Sequence, residues 1–422
     1  MGIAGNRRQK KFPSRAKIAR WVNACAETAG RVLDGLDQAC RALVVTGCFD
    51  EIFFHGKPVL VGVEPHSMAW VLGEHAADRS GATWTKALQG FDALEQAVVD
   101  GGRGMQRGLV DFQKQRENAG NSTPLEVSLD VFHTKQEAQR VLRKLWNRVE
   151  SRWARAEEAD RQVQRAWRNG GDRRGFGGAA AKAWKKVERL MERYDCAQGA
   201  WQRIEAALEL FRPDGRLNDR AWAAGEITAA VKELDGPEWG KVRRTLADRR
   251  SLTFLDRMQR QLAAAEPRAE LREALLRRWW LWRQPAAAGT NRRLDADAPG
   301  GGRWLGAVLV QTEYCRKLAA NWEESYRRVA AVLRHTVRAS SAVECMNSVL
   351  RMHQGRHRTV TQPMLDLKRL YWNCRRFQSG KRRGACPYEL LGLQLPTTDW
   401  WQLLRTPFAD STQELSSSGV TI

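Results

Sequence analysis

The stretch VVTGCFDEIFFHGKPVLVGVEPHSMAWVL, residues 44–72, gives the clearest indication of fold class in the sequence. It contains three short runs rich in β-branched and aromatic residues, and turn-forming residues separate them. Runs of this kind between turn signals predict β-strands, and three in succession predict a meander. The runs are 44–54, 59–63 and 68–72, and the residues between them include Lys57-Pro58, Pro65 and Ser67.

Helix and strand alternate in the next sixty residues. Apolar residues fall at helical spacing over 84–94 and 103–115, and shorter apolar runs at 96–100 and 125–131 predict two further strands. The element order is therefore β-β-β-α-β-α-β, which is the order of the RNase H fold. The sequence predicts an α/β RNase H-like core with a mixed five-stranded sheet.

Most of the remaining chain has a helical pattern, which predicts a large all-α insertion into this core. Ser14 is a good N-cap for a helix in the N-terminal segment, and breaks are expected inside the insertion at 169–178, 213–215, 236–237 and 285–302. The predicted parts are an N-terminal helical segment (1–43), the first part of the core (44–145), the insertion (146–337), the second part of the core (338–404) and a disordered Ser/Thr-rich tail (405–422).

The composition favours a polyanionic partner. The chain carries 70 Lys and Arg against 48 Asp and Glu, a net charge of +22, and such an excess repels itself unless a partner such as nucleic acid neutralises it. No apolar run reaches the roughly 20 residues of a membrane span, so no membrane is expected. The eight cysteines form no CxxC pair, which argues against a zinc finger and for a reducing compartment.

Three acidic residues have the sequence contexts of metal ligands. Asp50 lies inside an apolar strand, where a charge is costly without a partner, and strand alternation places Glu51 on the opposite face. Asp100 ends a strand before a glycine turn, and Glu344 shares one helix face with Asn347 and Arg351. Taken singly, each acid also fits a structural role, on an exposed strand face, in an Asp-Gly turn or on a solvated helix face.

The three acids occur together within segments that resemble prokaryotic insertion-sequence transposases of the DDE type, with motifs similar to those of the Mutator group. The Glu-bearing helix and the tail beyond it are the most specific of these segments. They are DEIFFHGKPVLVGVEPHS (50–67), VVDGGRGMQRGL (98–109), SLDVFHT (128–134), RASSAVECMNSVLR (338–351) and RLYWNCRRFQSGKRRGACPYELLG (369–392).

This resemblance implies a catalytic and metal-binding triad of Asp50, Asp100 and Glu344 that holds two Mg²⁺ ions, with Mn²⁺ as a substitute. It implies that Asn347 and Arg351 orient the acid or the phosphate, and it puts the segment that contains His133 beside the active site. The partners it implies are the terminal repeats of the element, target DNA and further copies of the chain. The implied location is the prokaryotic cytoplasm, in association with the nucleoid.

Two basic regions are candidates for DNA contact. Residues 14–22 resemble the recognition helix of a helix-turn-helix, although the preceding twelve residues are too few for a full first helix. The second region follows the Glu helix and is either a phosphate-binding surface or a merely solvated one. The Trp-rich run 277–283 is a candidate for stacking on a flipped base. The candidate DNA-binding residues are Arg15, Lys17, Arg20, Arg356, Arg358, Lys381, Arg382 and Arg383.

Two alternatives to a transposase stay open at this point. One is a catalytically inactive or domesticated remnant that binds DNA, which the short N-terminal segment favours. The other is an RNase H-like nuclease that shares the triad but does not join DNA strands.

Overall fold

The computed structural model describes residues 13–170, 174–287, 301–355 and 359–405. They belong to two compact units. The sheet unit combines Met1–Glu126 with Ser340–Ile422, and the helical unit is the continuous segment Val127–Ala339. The sheet unit is therefore assembled from two parts of the chain that lie far apart in sequence.

Five strands form one mixed sheet, as the sequence predicts, in the order β3-β2-β1-β4-β5. The first three strands are antiparallel neighbours, and β1 pairs with β4 in parallel, with Phe49 opposite Val99. The third strand begins later than predicted because Met68, at φ 65°, closes a turn in which its N–H donates to the carbonyl of Glu64. The strands are β1 (Thr46–Phe54), β2 (Lys57–Glu64), β3 (Ala69–His75), β4 (Gln96–Val99) and β5 (Glu126–Leu129).

Helices make up most of the remaining described chain. In the sheet unit they are α1 (Arg15–Ala42), α2 (Gly81–Ala87) and α3 (Arg103–Asn118); in the helical unit α4 (Val131–Arg168), α5 (Arg174–Ala207), α6 (Arg220–Val231), α7 (Gly240–Ala247), α8 (Thr253–Ala265), α9 (Ala269–Ala287), α10 (Gly301–Leu318) and α11 (Trp322–His335); and again in the sheet unit α12 (Ser341–Gln354), α13 (Gln362–Cys374), α14 (Pro387–Leu391) and α15 (Trp400–Arg405).

Several predicted boundaries shift. The breaks near 213–215 and 236–237 are confirmed, but the helix predicted over 84–94 ends at Ala87. The predicted break at 169–178 is shorter, since α5 already begins at Arg174, and both ends of the predicted linker 285–302 are helical. Residues 288–300 and the tail from 406 lie outside the described residues.

Helix α1 begins as predicted, with the backbone N–H of Lys17 donating to the Ser14 hydroxyl at 3.3 Å. Its C-terminal half packs on α13 and α14 through an apolar cluster that includes three cysteines, Cys40, Cys374 and Cys386. Burial raises the pKa of the Cys40 and Cys374 thiols to about 12. These thiols therefore stay protonated near neutral pH and serve as small apolar side chains rather than metal ligands.

Helix α13 covers the β3 edge of the sheet. Asn373 accepts a hydrogen bond from the Trp70 N–H at 2.8 Å and donates to the Trp70 carbonyl at 3.0 Å. Gln362 accepts from the His75 N–H at 2.7 Å and donates to the Gly73 carbonyl at 2.8 Å. An edge strand leaves a row of unpaired backbone groups, and two side-chain amides here pair with backbone groups of β3 as a sixth strand would.

The helical unit contains a buried carboxylate between α8 and α9. Glu266 is 1% exposed, and it accepts hydrogen bonds from the Arg268 guanidinium at 2.8 and 3.0 Å. Arg328 of α11 approaches the same carboxylate at 3.8 Å. The pKa of Glu266 is lowered to about 2, and the hydrogen bonds from Arg268 are the largest cause.

We expect Asn373→Ala to lower the free energy of unfolding by about 2–4 kcal/mol, because the buried N–H and carbonyl of Trp70 each lose their partner. Urea unfolding followed by circular dichroism and tryptophan fluorescence measures the change. Asn118→Ala, which removes an amide from the exposed end of α3, is the matched control and should change stability by less than about 0.5 kcal/mol. Equal effects of the two substitutions would contradict this role of Asn373.

The Glu266 carboxylate should make stability depend on acidity. Its folded pKa of about 2 lies below its ordinary value of 4.5, so its contribution is complete above pH 4.5 and is lost as the pH falls through 2. Glu266→Gln should therefore destabilise the protein by roughly 2–3 kcal/mol at pH 7, and the difference from wild type should shrink between pH 4.5 and 2. Glu313→Gln, which breaks an exposed pair with Arg316, should show neither effect.

Candidate metal centre

The central strand β1 supplies the first acid of the candidate centre. Asp50 is 8% exposed and lies opposite Val61 of β2. One carboxylate oxygen, Oδ1, accepts the backbone N–H of Glu51 at 2.8 Å, and the other, Oδ2, accepts a hydrogen bond from Nδ2 of Asn347 at 2.7 Å. The sheet thus fixes the backbone of this acid, and a helix from the far end of the chain fixes its carboxylate.

Helix α12 brings the second acid to the sheet. Val343, Met346 and Leu350 are fully buried and pack this helix on β1 and β2. Because Glu344 lies one residue after Val343, the same packing brings its carboxylate close to β1. A Glu344 oxygen and an Asp50 oxygen lie within 4.8 Å of each other. Two carboxylates at this separation, only slightly exposed to water, can hold a divalent metal ion.

The other two polar residues of the α12 face contact these acids. Arg351 Nη1 lies 3.3 Å from Glu344 Oε2, and the guanidinium remains largely exposed. Asn347 is fully buried, and its Oδ1 has no hydrogen-bond partner among the described residues. A buried acceptor without a donor costs free energy, and a cation or a water molecule beside Asp50 would satisfy it.

Asp100 has a different local partner. Its Oδ1 accepts the backbone N–H of Gly102 at 2.9 Å, a turn-type hydrogen bond within its own loop. Among the described residues, the group of donor atoms that contains Asp50 and Glu344 does not contain Asp100. The backbone is nonetheless well placed, since Phe49 and Val99 are paired in parallel, Asp50 follows Phe49 in β1, and Asp100 follows the last residue of β4.

An ion pair between Glu51 and Arg79, which the sequence analysis did not predict, lies near this turn. Glu51 has a side chain only 7% exposed, and Arg79 Nη1 donates to its Oε1 at 3.0 Å. Burial raises the pKa of Glu51 above its ordinary value, the Arg79 hydrogen bond lowers it, and the charge of Asp100 raises it further. No local pattern predicts this pair, because the two residues are 28 positions apart.

His133 lies in the helical unit, in the first turn of α4. Its Nε2 is 3.6 Å from Oδ2 of Asp130, the residue that caps this helix by accepting the N–H of Phe132 at 2.7 Å. The Trp-rich run is also in the helical unit, where Trp279 and Leu281 are buried and Trp282 is exposed. The Arg278 guanidinium lies 4.3 Å from the Tyr326 ring centroid.

The candidate DNA-binding residues fall into three groups. Arg15, Lys17 and Arg20 lie on the exposed N-terminal part of α1, whereas Arg356 and Arg358 lie outside the described residues. Of the third group, Lys381 and Arg383 are exposed. Arg382 instead donates to the carbonyls of His66 and Pro65 at 2.7 and 2.8 Å, so its guanidinium holds the turn between β2 and β3.

We expect a carboxylate at position 347 to make stability depend on divalent metal. Asn347→Asp places a third negative charge beside Asp50 and Glu344, which should lower the melting temperature in EDTA. Mg²⁺ or Mn²⁺ should then raise the melting temperature of the variant more than that of the wild-type protein. A ligand that binds only the folded state stabilises it by mass action.

Ser348→Asp adds the same charge on the exposed side of α12 and controls for non-specific ion effects. Differential scanning fluorimetry across a metal titration provides the measurement. A metal-induced gain in melting temperature no larger for Asn347→Asp than for Ser348→Asp would mean that Asp50 and Glu344 do not form a metal centre.

The chain was also compared with known proteins. No protein-family model matches it, and no curated protein is significantly similar to it in sequence. Within the described residues, no helix is both long and apolar enough to cross a membrane.

Proposed function

We propose that this chain is a DDE transposase, which cleaves DNA at the ends of an insertion sequence and joins them to target DNA with the help of Mg²⁺ or Mn²⁺. The observation that carries the proposal is the approach of the Asp50 and Glu344 carboxylates to within 4.8 Å. The family resemblance implies a metal-binding role for both of these acids.

The topology of the sheet supports the same proposal. An order of β3-β2-β1-β4-β5, with three antiparallel strands followed by one parallel to β1, is what an RNase H-like core requires. In this proposal the helical unit is the insertion that separates the second acid from the third in DDE enzymes of this architecture.

The donor set suits a hard divalent cation. Carboxylate and amide oxygens are preferred by Mg²⁺ and Mn²⁺, and the unpartnered Asn347 Oδ1 adds a third oxygen beside the two acids. When bound, a pair of such ions supplies the activation of the attacking hydroxyl and the charge stabilisation of the leaving oxygen.

The residues of the chain then have separate roles. Asn347 fixes the Asp50 carboxylate, and the exposed Arg351 guanidinium is available to a DNA phosphate while it also pairs with Glu344. Asp100 is the remaining acid of the proposed triad, and it would contribute its carboxylate to the metal in place of accepting the Gly102 N–H. The family resemblance also implies a supporting role for His133.

The DNA contacts complete the proposal. Lys381 and Arg383 bind phosphates of the substrate, and Arg15, Lys17 and Arg20 contact the terminal repeats. The enzyme acts on DNA in the nucleoid of a prokaryotic cell, as an oligomer that holds both ends of the element.

The rival function, a non-catalytic DNA-binding remnant, is favoured by one observation. The Asp100 carboxylate is engaged with its own turn, and a centre that lacked it would have only two acids. Activity measurements on single acid substitutions separate the two functions.

We expect purified protein with Mg²⁺ or Mn²⁺ to nick supercoiled plasmid and to join the 3′-hydroxyl of a labelled oligonucleotide duplex to it. Asp50→Asn, Asp100→Asn and Glu344→Gln should each lower both rates by about 10³-fold or more, because each removes a metal ligand. Asp111→Asn, which alters an exposed ion pair on α3, should leave them within about threefold.

Other outcomes identify the rival functions. Metal-dependent nicking without joining would assign the chain to RNase H-like nucleases. DNA binding with neither reaction would indicate a remnant. Full activity of Asp100→Asn beside inactive Asp50→Asn would remove Asp100 from the triad.

A further inference from the structure

Helices α4 and α5 form a long antiparallel hairpin within the helical unit. Trp146 packs against Tyr194 at 5.0 Å between ring centroids, and further along Trp153 packs against Trp184 at 5.1 Å. The last buried residue of α4 is Ala156, twelve residues before the helix ends at Arg168. At a rise of 1.5 Å per residue, about 18 Å of α4 lies beyond its last buried side chain.

The charge of the hairpin changes abruptly along its length. The part nearer the core, residues 131–160 and 188–207, carries ten Lys and Arg against nine Asp and Glu. The distal part, residues 161–170 and 174–187, carries seven Lys and Arg and no acid. Four of these seven are exposed and have no ion-pair partner among the described residues, namely Arg168, Lys182, Lys185 and Lys186.

An aromatic side chain accompanies these charges. The indole N–H groups of Trp146, Trp153 and Trp184 donate to carboxylates within the helical unit, at 2.7 to 2.9 Å. Trp167 lies beyond them, is 64% exposed, and has neither a hydrogen bond nor a ring contact within the described part of the chain. The distal hairpin thus combines uncompensated positive charge with an exposed planar ring.

We propose that this distal part of the hairpin is a DNA-binding arm, an inference that rests on the proposed function and extends it. The exposed cations bind phosphates, which releases counterions and is independent of base sequence. Trp167 stacks on an unpaired base where strands separate, since every base offers a face to an aromatic ring. Charge complementarity selects a polyanion, and the ring selects one with exposed planar groups.

The cationic part of the arm is tested by binding to a duplex in EDTA, so that cleavage cannot interfere. The variant Arg168→Gln/Lys182→Gln/Lys185→Gln/Lys186→Gln should make the slope of log K against log salt shallower by about 3.6 units, at about 0.9 for each of the four phosphate contacts. The matched control Lys232→Gln/Arg244→Gln/Lys317→Gln/Arg327→Gln removes four exposed charges elsewhere on the same unit and should change the slope by less than about one unit. Circular dichroism confirms that both variants keep their helix content.

The aromatic part is tested with a single-stranded 20-mer. Trp167→Ala should weaken its binding by about 5- to 150-fold and leave duplex affinity within about twofold. Trp401→Ala, at another exposed tryptophan, should affect neither. Equal weakening by the two tryptophan substitutions would overturn the stacking role.

Two further results would overturn the arm as a whole. One is an equal salt slope for the arm variant and the charge control. The other is a loss of binding to phosphatidylserine vesicles by the arm variant with its DNA slope unchanged, which would assign the arm to a lipid surface. If the protein cleaves plasmid but the two variants give equal slopes, the proposed function stands and the DNA-binding arm is wrong. If the protein binds DNA through the arm but never cleaves it, the arm stands and the proposed function is wrong.

Discussion

The sheet unit depends on a single requirement, that the backbone groups at the free edge of β3 find hydrogen-bond partners. Gln362 and Asn373 of α13 meet it with side-chain amides, which donate and accept in the manner of a neighbouring strand. The same helix is fixed to α1 by the buried Arg369, whose Nη2 lies 2.9 Å from Asp37. Helix α13, which pairs with the edge of β3, thus forms one packed assembly with the N-terminal helix α1 and the C-terminal segment.

The candidate metal centre follows from this assembly. Once α13 is held on β3, the preceding helix α12 packs its apolar side on β1 and β2, and its polar side brings Glu344 and Asn347 to Asp50. A charge buried in the middle of a sheet is tolerated only with partners, and Asn347 is one of the partners of Asp50, together with the backbone N–H of Glu51. Local stability and the candidate chemistry therefore use the same hydrogen bond.

Sequence alone predicts those features that depend on local pattern. The strand meander, the Ser14 cap and the helix that carries Glu344 follow from residue spacing and turn chemistry. Arg382 could not be predicted, because its carbonyl partners lie more than 300 residues away. The same holds for the amides of α13, which look like ordinary polar positions on a helix until the edge strand beside them is known.

The acidic residues of the candidate centre include features that local sequence pattern predicts and features that depend on tertiary contacts. The family resemblance selects Asp50, Asp100 and Glu344 alike, and the structure brings the carboxylates of Asp50 and Glu344 together. The orientation of the Asp100 carboxylate depends instead on competition between its own glycine turn and any cation nearby, and residue order carries no information about that balance. The Glu51–Arg79 contact likewise depends on how strand β1 meets the loop before α2 in space.

The discontinuous sheet unit imposes an order of events on synthesis. Strand β3 ends at His75, and the helix that covers it begins at Gln362, so the ribosome adds close to 290 residues between them. At a translation rate of 5–20 residues per second, the nascent edge waits about 15–60 seconds for its cover. During that interval the helical unit, whose chain is continuous, can fold by itself. To reach its native state, the protein then needs the cell to protect the unpaired edge of β3 during this interval.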